Sequence, residues 1–350
     1  MENKLKLPRC IVATGVPTLI STYLLMLYCA RQSTISSSKM KSILLARNIN
    51  ADANETSFVK PNVTIAFWTN YYGRPMTRKR FDYSIELLNS MRFDGVISYQ
   101  RDSEFPSPYA YAVPRSSRHR HLNATLHNLA IEFADQQRSG VVWLASHCKT
   151  PNQREMVVRE IETLARQRNI TFHKYGSCGE HKCAHRNVVK CYQWLGSRYK
   201  FALSFENSHC RDYVTEKFSL VLAAGMVPIV YGAANYVHTL PYTNDSSWLD
   251  VDDYGSLRQL VDHVVYLERN PAAYRRYLQW LGYYEIRIKT EQIGLTRLCE
   301  SIRSGAITHQ LNRSPIRFDH WRANACGAQM TPVVDRILQQ TEQRGMTKSR

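Results

Sequence analysis

YKFALSFENSHCRDYVTEKFSLVLAAGMVPIVYG, residues Tyr199–Gly232, is the stretch from which the fold follows. Phe201–Phe205 is a short apolar run that stops abruptly at Glu206-Asn207-Ser208, as a buried strand entering a polar loop does. From Tyr213 the spacing turns helical, with Phe218, Val221 and Leu222 on one face and Gly225 as the stop signal. Val227–Tyr231 is a second buried strand, closed by Gly232. The unit is therefore β-α-β, and the polar loop between its first strand and its helix is where open α/β sheets hold ligands, phosphates above all. That loop carries Glu206, Asn207, Ser208, His209, Arg211, Asp212, Tyr213, Thr215, Glu216 and Lys217, more polar chemistry than a turn needs. A plainer reading leaves Thr215 and Glu216 as helix-capping residues.

The literal string goes further. FENS, then RDYVTEK, an apolar helix and AGMVPIVYG closely resembles the donor-binding signature of the α1,3-fucosyltransferases, glycosyltransferase family 10, over more than thirty residues. The resemblance implies an α/β fold of two facing Rossmann-like domains (GT-B type). It implies inverting transfer of fucose from GDP-fucose to a GlcNAc-containing glycan in α1,3 linkage. No cofactor is expected, and a divalent metal would at most stimulate. Asn207, Tyr213, Glu216 and Lys217 fall on the family's donor contacts.

The 350 residues suit two domains of about 150 each. The formal charge of +17 points to anionic partners. Lys and Arg are scattered and no nucleic-acid module is visible, which argues against that partner class. A nucleotide-sugar or a nearby membrane engages only a few of the charges, and the rest are solvated surface. Residues 10–30, CIVATGVPTLISTYLLMLYCA, hold no charge over 21 positions, enough to cross a bilayer. Lys4, Lys6 and Arg9 precede the run, so a cytoplasmic tail (1–9), a signal-anchor (10–30) and a lumenal body are expected, as in a single-pass type II Golgi protein. The alternative is a cleaved signal peptide.

Of nine cysteines, Cys178, Cys183 and Cys191 are clustered. Their spacings of five and eight match no common zinc pattern, and an oxidising lumen favours disulfides. With Cys10 and Cys29 in or beside the anchor, seven remain, which leaves one thiol over; Cys210, inside the loop, is the candidate.

Residues 31–60 are polar and read as a flexible stem. Six N-glycosylation sequons stand at Asn54, Asn62, Asn123, Asn169, Asn244 and Asn312. Residues 61–138 are the expected acceptor-side domain. It opens on the strand-like run VTIAFW at Val63–Trp68. Arg92–Tyr109, RFDGVISYQRDSEFPSPY, resembles the family's FNWTMTYRRDSDxxxPYG element, with Tyr99, Arg101, Asp102 and Ser103 as its core. The chain departs from the family upstream, where no Glu-Ser-Pro occurs and little chain separates Phe67 from Arg92. Glu86, in SIELLNS, lies nearest the place of the expected base, and reads equally as a solvent-facing helix residue.

Residues 139–340 are the expected GDP-fucose-binding domain, with 341–350 a tail. VVWLAS, Val141–Ser146, is a buried strand, and a helix carries Val157, Ile161, Leu164 and Ala165 on one face. Arg154, in its first turn, opposes the macrodipole unless an anion is bound. The family has an arginine eight residues after a serine here, contacting pyrophosphate, and Ser146 and Arg154 have that spacing. Thr171–Tyr175 is the next strand. Asp250-Val251-Asp252-Asp253 contains a D-x-D pattern, which binds a metal in other glycosyltransferases, but the string resembles the family's metal-free "HVDDF" strand end. Ser256–Glu268 and Pro271–Leu281 are helices, Ser256 capping the first and Pro271 at N1 of the second. By resemblance, Cys299 and Cys326 pair.

Two other functions stay open. The absent Glu-Ser-Pro would suit a catalytically inactive GDP-fucose- or glycan-binding pseudoenzyme. The anchor, cysteines and sequons would also suit a membrane-tethered adhesion or receptor ectodomain, which gives no reason for a FENS…VTEK loop.

Overall fold

The computed structural model describes residues 43–47, 63–67, 92–93, 95–115, 138–242, 246–288, 293–304, 306 and 316–317. The expected anchor, Glu86, Cys326 and the sequons at Asn54, Asn62, Asn123, Asn244 and Asn312 lie outside these residues. Among the described residues, no helix is long and apolar enough to cross a membrane.

The chain divides into two compact units. The described residues of the smaller are 43–47, 63–67, 92–93, 95–98, 102–107, 293–304, 306 and 316–317. Strands β1 (Ile43–Arg47), β2 (Val63–Phe67), β4 (Gly95–Ser98) and β5 (Phe105–Pro106) form a sheet of order β2-β1-β4-β5, and β3 (Arg92–Phe93) lies just before β4. β1 runs antiparallel to both neighbours, while β4 and β5 are parallel. The sheet is therefore mixed, not the all-parallel sheet of a Rossmann-like half. β1 also corrects the reading of 31–60 as an unbroken flexible stem. Ile43-Leu44-Leu45-Ala46 is an apolar run inside that polar segment, and such a run gains by pairing.

The larger unit holds 99–101, 108–115, 138–242 and 246–288. In chain order it runs β6 (Ala110–Pro114), β7 (Val141–Leu144), α1 (Arg154–Arg166), β8 (Phe172–Tyr175) and α2 (Val188–Gly196). Next come β9 (Phe201–Phe205), α3 (Glu216–Ala223), β10 (Val227–Tyr231) and β11 (Leu249–Asp250). It closes with α4 (Leu257–Arg269), α5 (Pro271–Arg276) and β12 (Tyr284–Ile288). Five strands make a parallel sheet of order β11-β10-β9-β7-β8. Every residue of β9 and β10 is buried, as continuous apolar strands must be when helices cover both faces. Val157 and Ile161 of α1 and Leu260 and Val264 of α4 pack with Trp143, Leu203 and Ile229 on one face. Leu195 of α2 and Leu220 and Val221 of α3 pack with Val142 and Ala202 on the other.

The local signals hold where they were strongest. α3 ends just before Gly225, whose φ of 70° is open to glycine at little cost. The Ser256 side chain accepts from Gln259 N and starts α4, and Pro271 sits in the first turn of α5. The helix expected over Pro271–Leu281 stops at Arg276, and a separate 3-10 turn covers Gln279–Gly282. β12 pairs antiparallel with β6 from Tyr284↔Pro114 to Ile288↔Ala110. That pairing places Ala110–Pro114 in the larger unit, ahead of the boundary expected near Ser139.

Candidate functional site

The chain leaves β7 for β8 on one side, then returns to β9 on the other. The crevice at such a reversal, at the carboxyl ends of β7 and β9, is where doubly wound sheets bind ligands. Two loops line it: 146–153, leading into α1, and 206–215, leading into α3. Of the donor residues expected from the sequence, Ser146, Asn207 and Tyr213 lie in these loops, and Arg154, Glu216 and Lys217 lie in the first turns of the helices they lead into.

Glu206 forms the floor. It is fully buried, its N–H donates to Tyr231 O (3.1 Å), and its O accepts from Asn152 Nδ2 (2.9 Å). Its Oε1 accepts from Thr215 N (2.7 Å), and the Thr215 hydroxyl lies 3.0 and 2.9 Å from Oε1 and Oε2. Lys217 Nζ donates to Glu206 Oε2 (3.2 Å) and to Thr215 Oγ1 (2.6 Å). Glu216, at the first position of α3, has its Oε1 3.8 Å from the same ammonium, and its side chain is 43% exposed.

The Thr215 hydroxyl is thus turned sideways to Glu206 and Lys217, and α3 has no side-chain cap. α1 has none either: its N-cap is Gln153, in the left-handed region at φ 50°. By contrast, α2, α4 and α5 are capped by Asn187, Ser256 and Asn270. Among the described α-helices of the larger unit, the two that start at the crevice are the two without a side-chain cap, and they present N–H groups and the positive end of the helix dipole there. Asp212, at φ 60°, puts a second left-handed non-glycine residue in the same pair of loops. Strain of that kind collects at functional sites.

Arg154 is placed differently from a surface anion contact. It is 2% exposed, with NH1 bonded to Phe205 O (2.5 Å), NH2 to His147 O (3.0 Å) and its guanidinium over the Trp143 ring. Burial pulls its pKa below the ordinary arginine value, while the Glu206 carboxylate acts in the opposite direction. It ties the ends of β7 and β9 together. Asn152, which the sequence did not single out, does similar work; its backbone O also accepts from the Tyr231 hydroxyl (3.1 Å).

Tyr213 lies against Tyr99 and Tyr109, with ring centroids 5.0 and 6.2 Å away, and its hydroxyl is hydrogen-bonded by Tyr109. Arg101 N donates to Asp212 Oδ2 (3.3 Å). Residues 99–101, read as part of an acceptor-side element, therefore pack on the 206–215 loop within the larger unit. Burial pushes the Tyr99 hydroxyl up to about 12, and Tyr109 and Tyr213 also lie above the usual tyrosine value for the same cause. All three stay protonated at neutral pH and can position a ligand, but not take a proton. Asn207 is half-buried in its expected loop, whereas Ser146, read as the end of a buried strand, is exposed in the loop after β7, which stops at Leu144.

Cys148–Cys178 joins the loop after β7 to the loop after β8, and Cys183–Cys191 closes the segment before α2. Cys210 corrects the expectation of a spare thiol. It is 3% exposed and disulfide-bonded, as is Cys299; counting cysteines cannot say which one is left over. The D-x-D pattern is also built as a turn: Asp250 Oδ1 accepts from Asp252 N (3.1 Å), capping the 3-10 turn Val251–Asp253. Among the described residues, no group of three or more His, Cys, Asp or Glu side chains is arranged to hold a metal ion.

Known proteins resemble the chain over this same region. The family model described as Glycosyltransferase family 10 (fucosyltransferase) C-term matches residues 134–314, just over half of the chain. Alpha-(1,3)-fucosyltransferase fut-1 of Caenorhabditis elegans is 30% identical over 191 residues, 54% of this chain and 41% of that protein. Glycoprotein 3-alpha-L-fucosyltransferase A of Drosophila melanogaster is 31% identical over 188 residues, 53% of this chain and 35% of that protein. Alpha-(1,3)-fucosyltransferase 4 of Homo sapiens is 32% identical over 243 residues, 68% and 42% respectively. This chain thus spans less than half the length of each of these relatives. A solved α1,3-fucosyltransferase with GDP-fucose aligns over 57% of this chain and 55% of that one at 20% identity and a TM-score of 0.35, too loose a likeness to bear an argument.

Proposed function

Since this chain belongs to glycosyltransferase family 10, the fucosyltransferases, we propose that it transfers fucose from GDP-fucose to a GlcNAc-containing glycan in α1,3 linkage, with inversion. The observation that carries it is the pair of open helix N-termini at the β7–β9 crevice, with Lys217 beside one of them. A diphosphate suits that place, because it supplies the acceptors the uncapped N–H groups lack and meets both dipoles with negative charge.

Displacement at the anomeric carbon through an oxocarbenium-like transition state needs two services. A carboxylate must take the acceptor hydroxyl's proton. Cationic groups must hold the charge gathering on the departing GDP. Lys217 and the N-terminus of α3 would supply the second. Asn207, Tyr213 and Ser146 would position donor oxygens, Glu216 would accept from fucose or ribose hydroxyls, and Arg154 would hold the two loops in register. Glu86 remains the candidate base, as the carboxylate nearest the family's place for it. The GT-B arrangement would make the larger unit the donor half. Transfer would need no resident metal. The uncharged run 10–30 with its basic flank supports a type II Golgi anchor, and the exposed Asn169 supports lumenal glycosylation.

Incubating the full chain, in detergent, with GDP-fucose and a glycan array, with and without chelator, tests the proposal. Transfer is expected in both conditions. Lys217→Ala should lower turnover by about a hundredfold or more in a chain that still folds but melts at a lower temperature, because the buried Glu206 carboxylate loses an ion-pair partner; undiminished turnover would remove Lys217 from the mechanism. GDP binding with no transfer to any glycan would mark a binding protein instead.

A further inference from the structure

Glu206 has more structural engagement than the floor of a loop requires. Both its backbone groups are hydrogen-bonded, to Tyr231 O and Asn152 Nδ2. Its fully buried carboxylate is reached by Thr215 N, Thr215 Oγ1 and Lys217 Nζ. A buried carboxylate is costly unless cations and donors surround it. Here two cations act on it, Lys217 and Arg154, which sit in the first turns of α3 and α1 at the crevice. A simpler construction was available: Thr215 could cap α3 itself. Instead Glu206 draws the hydroxyl away, leaves the helix end open and fixes the ammonium from behind.

Resting on the donor-site reading above, we propose that Glu206 is a positioning residue for the diphosphate, acting through Lys217 and Thr215, and that its charge limits how tightly the site holds GDP. Two consequences follow from its position. The ammonium keeps a fixed place before the donor arrives, since Glu206 and Thr215 hold it. The net positive charge offered to the diphosphate is also reduced by one, and like charges at short range in a poorly solvated site oppose one another. A transferase must release GDP after each turnover, so weaker binding of the leaving nucleotide is useful.

Glu206→Gln in the full chain separates this from a structural role. The amide keeps an acceptor for Thr215 N but removes the charge and presents an N–H to the ammonium. GDP should bind about tenfold tighter while kcat falls about tenfold, the scale of one charge-assisted hydrogen bond. In a Lys217→Ala background the same substitution should have little further effect on kcat. Thr215→Val, which removes the hydroxyl bridge but not the charge, should lower kcat without tightening GDP. A purely structural Glu206 would instead give weaker GDP binding with a lower melting temperature. Weaker or unchanged GDP binding in a folded Glu206→Gln overturns the proposal. If that variant does not fold, an unchanged kcat in Thr215→Val overturns it. A parent protein that fails to bind GDP overturns the donor-site reading itself, a result that is distinguishable from either.

Discussion

The guanidinium of Arg154 is committed inside the protein, to Phe205 O, His147 O and the face of Trp143. Such a planar fork is not replaced by an ammonium, which is a point donor. Arg154→Lys should lose at least one charged hydrogen bond, about 1.5–3 kcal/mol, and misplace the two loops. A lower melting temperature together with a higher KM for GDP-fucose is expected, and an unchanged KM would confine Arg154 to stability. Asp250 is a second residue with a measurable consequence. Burial pushes its carboxyl up to about 7, so the native chain keeps a proton to higher pH than the unfolded chain does. Stability must then fall as pH rises from the ordinary carboxylate range through about 7. Asp250→Asn retains the acceptor for Asp252 N and should flatten that dependence, as seen in melting temperatures between about pH 5 and about pH 8. Equal slopes in both proteins would refute it.

Among the elements, α1 and α3 matter through their beginnings. Their apolar faces fill opposite sides of the sheet, while their uncapped ends meet at one crevice. The loop before α1 is also held by Cys148–Cys178, which closes a segment of 30 residues and links the ends of β7 and β8. Cross-linking a segment of that length restricts the unfolded chain by about 3–4 kcal/mol. Cys178→Ser, in a chain whose other disulfides are intact, should lower the denaturant midpoint accordingly and weaken GDP binding by loosening the 146–153 loop. Loss of stability with full GDP affinity would show that the loop holds without the link. The reach of this element was visible in the cysteine cluster. Its partner was not, because pairing depends on which strands become neighbours.

For the whole molecule, the family match begins at residue 134, yet the larger unit begins earlier. β6 supplies the partner of β12 along five residues, and Tyr99 and Tyr109 pack on Tyr213. A fragment of residues 134–314 would expose the edge of β12 and leave Tyr213 unsupported, and unpaired edges invite aggregation. It should melt at lower temperature than the full chain and bind GDP more weakly. A fragment that matches the full chain in both would show that β6 and the two tyrosines are dispensable.

The sequence by itself determined the central elements of the larger unit, β7, β9, α3, β10 and α4, but not α2 or β12. Apolar runs such as Phe201–Phe205 and Val227–Tyr231, the cap at Ser256 and the stop at Gly225 act within a few residues, so their signals are local. The positions of Asn207, Tyr213, Glu216 and Lys217 at one crevice follow from the same short-range unit. Only the tertiary structure decided that Arg154 turns inward, that Asn152 and Glu206 lock the two loops, and that Tyr99 and Tyr109 reach Tyr213 from about a hundred residues away. It also decided that Ile43–Arg47 pairs with other strands and that Cys210 is bonded. Each of these depends on contacts between segments distant in the chain, whose side chains meet only after the strands have ordered. Buried charge is the clearest case: whether Glu206 is costly or useful depends on Lys217 and Thr215 arriving beside it.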